Sequence, residues 1–234
     1  MEGFIHSYET CGAVDGPGIR FVVFTQGCPL RCKYCHNPDT WAPNTGHEID
    51  SDDLIDKIHR YEAFMRNTGG GLTISGGEPL MQAEFVADLF KKAKNYGLHT
   101  ALDTSGVASA DRVDSVLQNT DLILLDVKST IADTYKTLTG SKIEYFHQML
   151  ELAEKHNVEV WLRLVVVPGF TDNMVEIENI NKLNAQYSNI SKVELLPFHK
   201  MGEYKWAELG LNYELTDTLE PESSLIDTMS KALD

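Results

Sequence analysis

The chain has 234 residues and sets 20 Lys and Arg against 35 Asp and Glu, a formal net charge of −15 at pH 7. That balance, with no run of Lys or Arg, excludes a polynucleotide substrate, because a phosphate-binding surface needs an electropositive patch. With 42% hydrophobic and 24% charged residues, and no stretch near the roughly 20 apolar residues of a membrane span, the composition also excludes the disordered and membrane classes.

The length fits one domain, residues 1–234, with a sizeable core. Met1 to His6 lacks the basic and apolar regions of a targeting signal, so a cytoplasmic location is expected. Asp15-Gly16-Pro17-Gly18 is turn chemistry. The β-branched and aromatic run from Gly18 to Thr25 predicts a strand that feeds a loop, Gln26 to Asn37, holding three of the four cysteines. Thiols clustered without an even framework indicate a reducing compartment and metal binding. Soft sulfur at this density selects zinc or an iron–sulfur cluster, and three thiolates can hold three irons of a cubane and leave the fourth open. A zinc site completed by His36, and a disulfide with a spare thiol, are the alternatives.

Apolar spacing predicts a helix over Asp50 to Arg66, opened by an acidic cap. A strand at 71–75, the glycines of Gly76-Gly77-Glu78-Pro79, and a helix over Ala83 to Tyr96 follow. The unit repeats as a strand at 99–104 with a helix near 109–118, and as a strand at 122–128 with helical sequence reaching His156. It repeats again as a strand from Val158 to Val167 with a helix from Met174 to Tyr187, then a strand at 192–199 and a terminal helix near 221–233. Six apolar strands alternating with amphipathic helices specify a parallel sheet wound in one hand. Polar residues recur at all six carboxyl ends, which favours a partial (β/α)6 barrel over a flat doubly wound sheet.

Those strand ends carry the cysteine loop, Gly76-Gly77-Glu78, Asp103-Thr104, Asp126 with Lys128, Arg163 with Val165, and His199. Gly76 and Gly77 let backbone approach a ligand closely. An unpaired carboxylate in an apolar strand costs several kcal/mol, so Asp103 and Asp126 should each face an ammonium, a cation or Lys128. Asp126 and Lys128, two apart, share a strand face and could hold the two ends of an amino-acid-like ligand. Cys11 lies outside the cluster spacing and reads as a buried thiol, while Trp41, Trp161 and Trp206 read as packing residues.

Cys28-x3-Cys32-x2-Cys35, with Tyr34 before the last cysteine, resembles the signature of the radical S-adenosylmethionine superfamily, and Gly76-Gly77-Glu78-Pro79 resembles its motif for the methionyl amino group. Asp15 to Phe21, Tyr34 to Asn37, Leu125 to Lys128, Val165 to Gly169 and Leu195 to His199 are similar to segments of the glycyl-radical-enzyme activases, closest to those of pyruvate formate-lyase. The resemblance implies a 4Fe–4S cluster on Cys28, Cys32 and Cys35 and S-adenosylmethionine chelating the open iron. It implies Gly77 at the amino group, Asp103 and Asp126 at that group or at a monovalent cation, Lys128 at the carboxylate and His199 at the ribose. Tyr34 and His36 would line the adenine, with Asn37, Gly76, Glu78, Val127, Arg163 and Val165 in the same cofactor-binding set. The implied reaction is reductive cleavage to a 5′-deoxyadenosyl radical that takes hydrogen from a backbone glycine of a partner enzyme, the electron coming from a flavodoxin- or ferredoxin-type donor. Activases of other glycyl radical enzymes insert further cysteines after the cluster motif. None is present here, which favours pyruvate formate-lyase as the partner.

Overall fold

A computed structural model describes residues 1–233. The chain runs β1 (Glu2–Gly12), β2 (Arg20–Thr25), β3 (His47–Asp50), α1 (Ser51–His59), α2 (Glu62–Thr68), β4 (Gly71–Gly76) and α3 (Ala83–Asn95). It continues through β5 (His99–Thr104), α4 (Ala110–Leu117), β6 (Leu122–Val127), α5 (Ala132–Thr139), α6 (Glu144–Lys155) and β7 (Glu159–Val166). The remaining elements are α7 (Met174–Gln186), β8 (Ile190–Pro197), α8 (Glu203–Glu208) and α9 (Ser223–Lys231).

One sheet orders these strands β3-β1-β2-β4-β5-β6-β7-β8. From β2 to β8 every neighbouring pair is parallel, which is the six-strand β/α series expected of a partial barrel. The sequence did not announce β1 and β3, which extend the β2 edge in antiparallel register. Their residues are largely polar and lack the continuous apolar run of a strand covered on both faces. The single helix expected over Asp50 to Arg66 is two, broken at Arg60 and Tyr61, where Tyr61 turns to pack its ring 5.7 Å from that of Phe21. Likewise the helical sequence before His156 divides at Gly140, whose φ of 73° caps α5.

Alternation along the strands separates two interiors. Phe21, Val23, Leu72, Ile74, Leu102, Ile123, Leu125, Val127, Leu162 and Leu164 point outward and pack with the helices in the main core. On the inner face Ala101, Leu122 and Leu124 pack with Trp161 and fill the barrel. The next inward positions along those strands are Asp103, Asp126 and Arg163. The polar ring therefore stands directly above an apolar floor, at the carboxyl ends of the strands.

Candidate active site

β2 ends at Thr25 and delivers the chain into the cysteine loop, which neighbouring elements hold through its backbone. Gly27 N–H donates to Thr40 C=O at 2.7 Å, Arg31 N–H to Thr139 C=O at 3.0 Å and Lys33 N–H to Leu138 C=O at 2.9 Å. Behind the third cysteine, the Trp206 indole N–H donates to Cys35 C=O at 2.8 Å, and Trp41 meets the Trp206 ring edge-on at 5.0 Å. The β4 turn lies against this loop. Gly76 has φ 112°, and a Cβ there would fall 2.2 Å from Thr25 N; a Cβ on Gly77 would fall 2.2 Å from Gly27 O. Only glycines permit that approach.

All four cysteines are free thiols, so the disulfide alternative falls away. Burial pushes the Cys28 and Cys32 thiols up to about 12, and burial also raises Cys35 despite a backbone donor from Asn37. Cys11 is exposed rather than buried as expected. β3 pairs only with Glu2 to Ile5 of β1, which leaves the far half of β1 without an outer neighbour.

Cys28, Cys32 and Cys35 open onto a cavity of about 410 Å³ whose lining includes Tyr34, His36, Asn37, Gly76, Gly77, Asp103, Asp126, Lys128, Arg163, Val165 and His199. Residues 28 to 199 of the chain thus meet at one mouth. A larger groove of about 760 Å³ lies elsewhere, between β1, β3 and α1, and contains none of these groups.

The same cavity is lined by a four-membered ion network. Lys128 Nζ bonds Asp126 at 2.6 Å, and the Arg163 guanidinium bridges Asp103 and Asp126, the latter at 3.2 Å. Where the sequence suggested an ammonium or a monovalent cation between the two acids, the guanidinium occupies that position. Burial alone would raise Asp126, but Lys128 and Arg163 outweigh it and hold the carboxyl below its ordinary value. Burial dominates at Asp103 and raises it, with Arg163 opposing. Lys128 stays charged, because the paired carboxylate of Asp126 more than offsets its burial. The His36 and His199 rings lie 4.2 Å apart, and His36 Nε2 meets His199 C=O at 3.1 Å.

Two residues carried over from the motif do not line the cavity. Val127 is 1% exposed and faces the helices, as strand alternation requires. Glu78, also 1% exposed, turns away at Pro79. Its carboxylate accepts from Leu80 N–H at 3.2 Å, Ser105 N–H at 2.9 Å, the Ser105 hydroxyl at 2.6 Å and the Thr104 hydroxyl. It ties the β4 turn to the residues that follow Asp103, and burial raises its carboxyl despite these donors. Glu78→Ala would leave buried donors unpaired at about 1–3 kcal/mol each. We expect a lower urea midpoint for the apo chain, with Glu78→Gln recovering most of the loss.

Thr104, named with Asp103 at its strand end, lines the cavity too; sequence reasoning missed Ser75, whose hydroxyl donates to Asp103 at 2.7 Å, and Leu30, Trp41, Ser105, Leu196 and Pro197, which also line it. Alternation with the outward Leu72 and Ile74 would have placed Ser75 inward. Nothing local marks the others.

The donor set fits an iron–sulfur cluster with an amino-acid-like ligand. Three soft donors share the cavity with a lysine and two acids, and His199 Nδ1 and Tyr34 Oη are buried without hydrogen-bond partners. A Cys3His zinc site fits less well. Among the described residues no three His, Cys, Asp or Glu side chains converge tightly enough for a single ion, and His36 is turned to His199.

The family model of the radical S-adenosylmethionine superfamily matches residues 22–179. The chain is 43% identical to the pyruvate formate-lyase 1-activating enzyme of Escherichia coli K12, over 99% of this chain and 95% of that protein. To the pyruvate formate-lyase-activating enzyme of Clostridium pasteurianum it is 46% identical, over 92% and 90%. In fold it is similar to a crystallised domain of pyruvate-formate lyase-activating enzyme from Bacteroides vulgatus, with a TM-score of 0.58 and 23% identity over 70% of this chain and 92% of that domain. Together with the cysteine loop and the ring of strand-end residues, these likenesses establish that the chain belongs to the radical S-adenosylmethionine superfamily, in the family of pyruvate formate-lyase activating enzymes.

Proposed function

We propose that this chain is one undivided catalytic domain that installs a glycyl radical on pyruvate formate-lyase. The observation that carries the reading is the meeting, in one cavity, of three free thiols and the Asp103–Arg163–Asp126–Lys128 network. Cys28, Cys32 and Cys35 would hold the 4Fe–4S cluster of this family, and Lys128 with Asp126 would hold the amino-acid end of S-adenosylmethionine. When bound, this pair supplies a one-electron cleavage that yields a hydrogen-abstracting radical.

The chain's own residues bind, orient and shield. Lys128 presents a fixed positive charge to a carboxylate, and its bond to Asp126 keeps the ammonium from swinging into solvent. The acids, neutralised within the protein, can accept from an ammonium without an added counter-charge. Gly76 and Gly77 bring backbone polar groups up to the cysteine loop. His199 and Tyr34 offer buried polar atoms to the sugar and base, and the apolar floor around Trp161 keeps water from entering below. The open edge between β3 and β8 leaves the mouth accessible to a segment of another protein. The electron would come from a flavodoxin- or ferredoxin-type carrier, and the partner is that of a cytoplasmic fermentative enzyme. Among the described residues no helix is long and apolar enough to cross a membrane.

The test is anaerobic incubation of the loaded, reduced chain with pyruvate formate-lyase and S-adenosylmethionine, followed by electron paramagnetic resonance. A glycine-centred radical is expected; its absence from a fully loaded enzyme would overturn the proposal. Lys128→Ala should weaken S-adenosylmethionine binding about 10- to 100-fold, corresponding to about 1.5–3 kcal/mol for a hydrogen bond to a charged group, while iron content stays unchanged. Loss of iron instead would contradict the role given to Lys128.

A further inference from the structure

Glu176 is a fully buried carboxylate that neither motif nor strand-end counting singles out. It stands in the first turn of α7, three residues after the cap Asn173, whose side chain accepts from Glu176 N–H at 3.3 Å. An acid at that position commonly folds back onto the backbone of its own cap. Here it reaches another element. Glu176 Oε1 accepts from the Ser129 hydroxyl at 2.5 Å, and Oε2 accepts from Thr130 N–H at 2.6 Å and from the Thr130 hydroxyl at 2.5 Å. Asn179, also on α7, donates to the Thr130 hydroxyl at 3.1 Å, and the Ser129 hydroxyl accepts from Ile131 N–H at 3.0 Å. The turn between β6 and α5 is thereby fastened to α7.

That turn begins at Lys128. The β6–β7 ladder ends at Val127, paired with Leu164, so Lys128 is the first residue past the register of the sheet. Upstream its backbone is held by the ladder; downstream it is held by Ser129 and Thr130, and those by Glu176. The bond from Lys128 Nζ to Asp126 at 2.6 Å fixes the tip of the side chain and leaves its root to the backbone. A carboxylate suits the anchor because it only accepts, whereas the amide of a glutamine would set a donor against one of these donors.

We propose that Glu176 is a positioning residue for the cofactor: by anchoring Ser129 and Thr130 it fixes where Lys128 presents its ammonium to the carboxylate of S-adenosylmethionine. It touches no ligand itself and acts through Lys128.

The inference rests on the role given to Lys128, so the experiment is a double-mutant cycle. Wild type, Glu176→Gln, Lys128→Ala and the double variant are reconstituted anaerobically and assayed for iron, and their affinity for S-adenosylmethionine is measured by equilibrium dialysis. At full iron content Glu176→Gln should weaken binding about 10-fold, because a hydrogen bond to a charged group is partly lost when its donor is misplaced. In the Lys128→Ala background the same change should cost nothing further. Full additivity would overturn the proposal, since Glu176 would then act on the site by another route. Wild-type affinity in Glu176→Gln, with or without a lower urea midpoint, would also overturn it and leave the anchor purely structural. So would loss of iron from a folded Glu176→Gln chain, which would assign the carboxylate to the cysteine loop through α5. If Glu176→Gln does not fold, Ser129→Ala, which removes the bond to Oε1 alone among those to the carboxylate, takes its place in the cycle, with a smaller loss expected and the same outcomes deciding. Undiminished affinity in Lys128→Ala would instead overturn the reading of Lys128 itself.

Discussion

Cys32→Ala abolishes cluster binding, and radical formation falls to background. In the proposed assignment three thiolates from one loop are the whole protein ligand set, and the remaining cysteine, Cys11, stands exposed on β1 away from them. Cys32 is the most buried of the three, with Arg31 and Lys33 pinned on either side by α5, so the loop cannot slide a neighbouring residue into its place. Iron analysis and visible absorbance after anaerobic reconstitution check the loss, with Cys11→Ala as a variant that should load normally. Retained four-iron binding in Cys32→Ala would overturn the ligand assignment. A pH dependence follows from burial. The Cys28 and Cys32 thiols, raised to about 12, are protonated in the apo chain at neutral pH, and metal binds the thiolate. Loading therefore releases protons and strengthens as pH rises, by up to about tenfold per unit for each proton displaced.

Arg163→Ala should be the most destabilising single change at the site, by about 3–5 kcal/mol, because it strips the shared cation from two buried carboxylates. Asp103 would lose its ion-pair partner, and Asp126 would retain Lys128 alone. Arg163→Lys should fall between, since an ammonium keeps the charge but cannot bridge both acids as a planar fork does. The sign of the pH effect separates this account from simple loss of packing. Asp126 is held below its ordinary value in the wild type, so its contribution is present above the unfolded carboxylate range and lost as pH falls through the folded value. In Arg163→Ala both acids bind protons more tightly in the fold, so stability of the variant falls with rising pH. Its deficit in urea unfolding should be smaller at pH 5 than at pH 7. A deficit independent of pH would argue that the guanidinium only fills space.

Much of the site was legible because its determinants are local. The spacing of Cys28, Cys32 and Cys35 needs only the residues of one loop, and the shared face of Asp126 and Lys128 follows from strand alternation. The same alternation sends Val127 outward, so its departure from the cavity was readable in principle. Glu78 was not: the turn at Pro79 swings it towards Thr104 and Ser105, and that depends on where β5 ends. Nor could the sequence show that Trp206 reaches back to the carbonyl of Cys35, 171 residues earlier, or that the end of α5 holds the amides of Arg31 and Lys33 on either side of Cys32.

The order of residues along the chain puts three soft donors without a fourth in one loop, glycines where backbone must pass backbone, and acids and bases at the ends of six apolar strands. Only the tertiary structure decided how those charges pair. Asp126 and Arg163 are neighbours in register across β6 and β7, Asp103 comes within reach from β5, and burial makes each pairing a matter of several kcal/mol. Which cation answers which acid depends on strand register and sheet curvature, quantities that belong to the folded sheet and to no single segment of the chain.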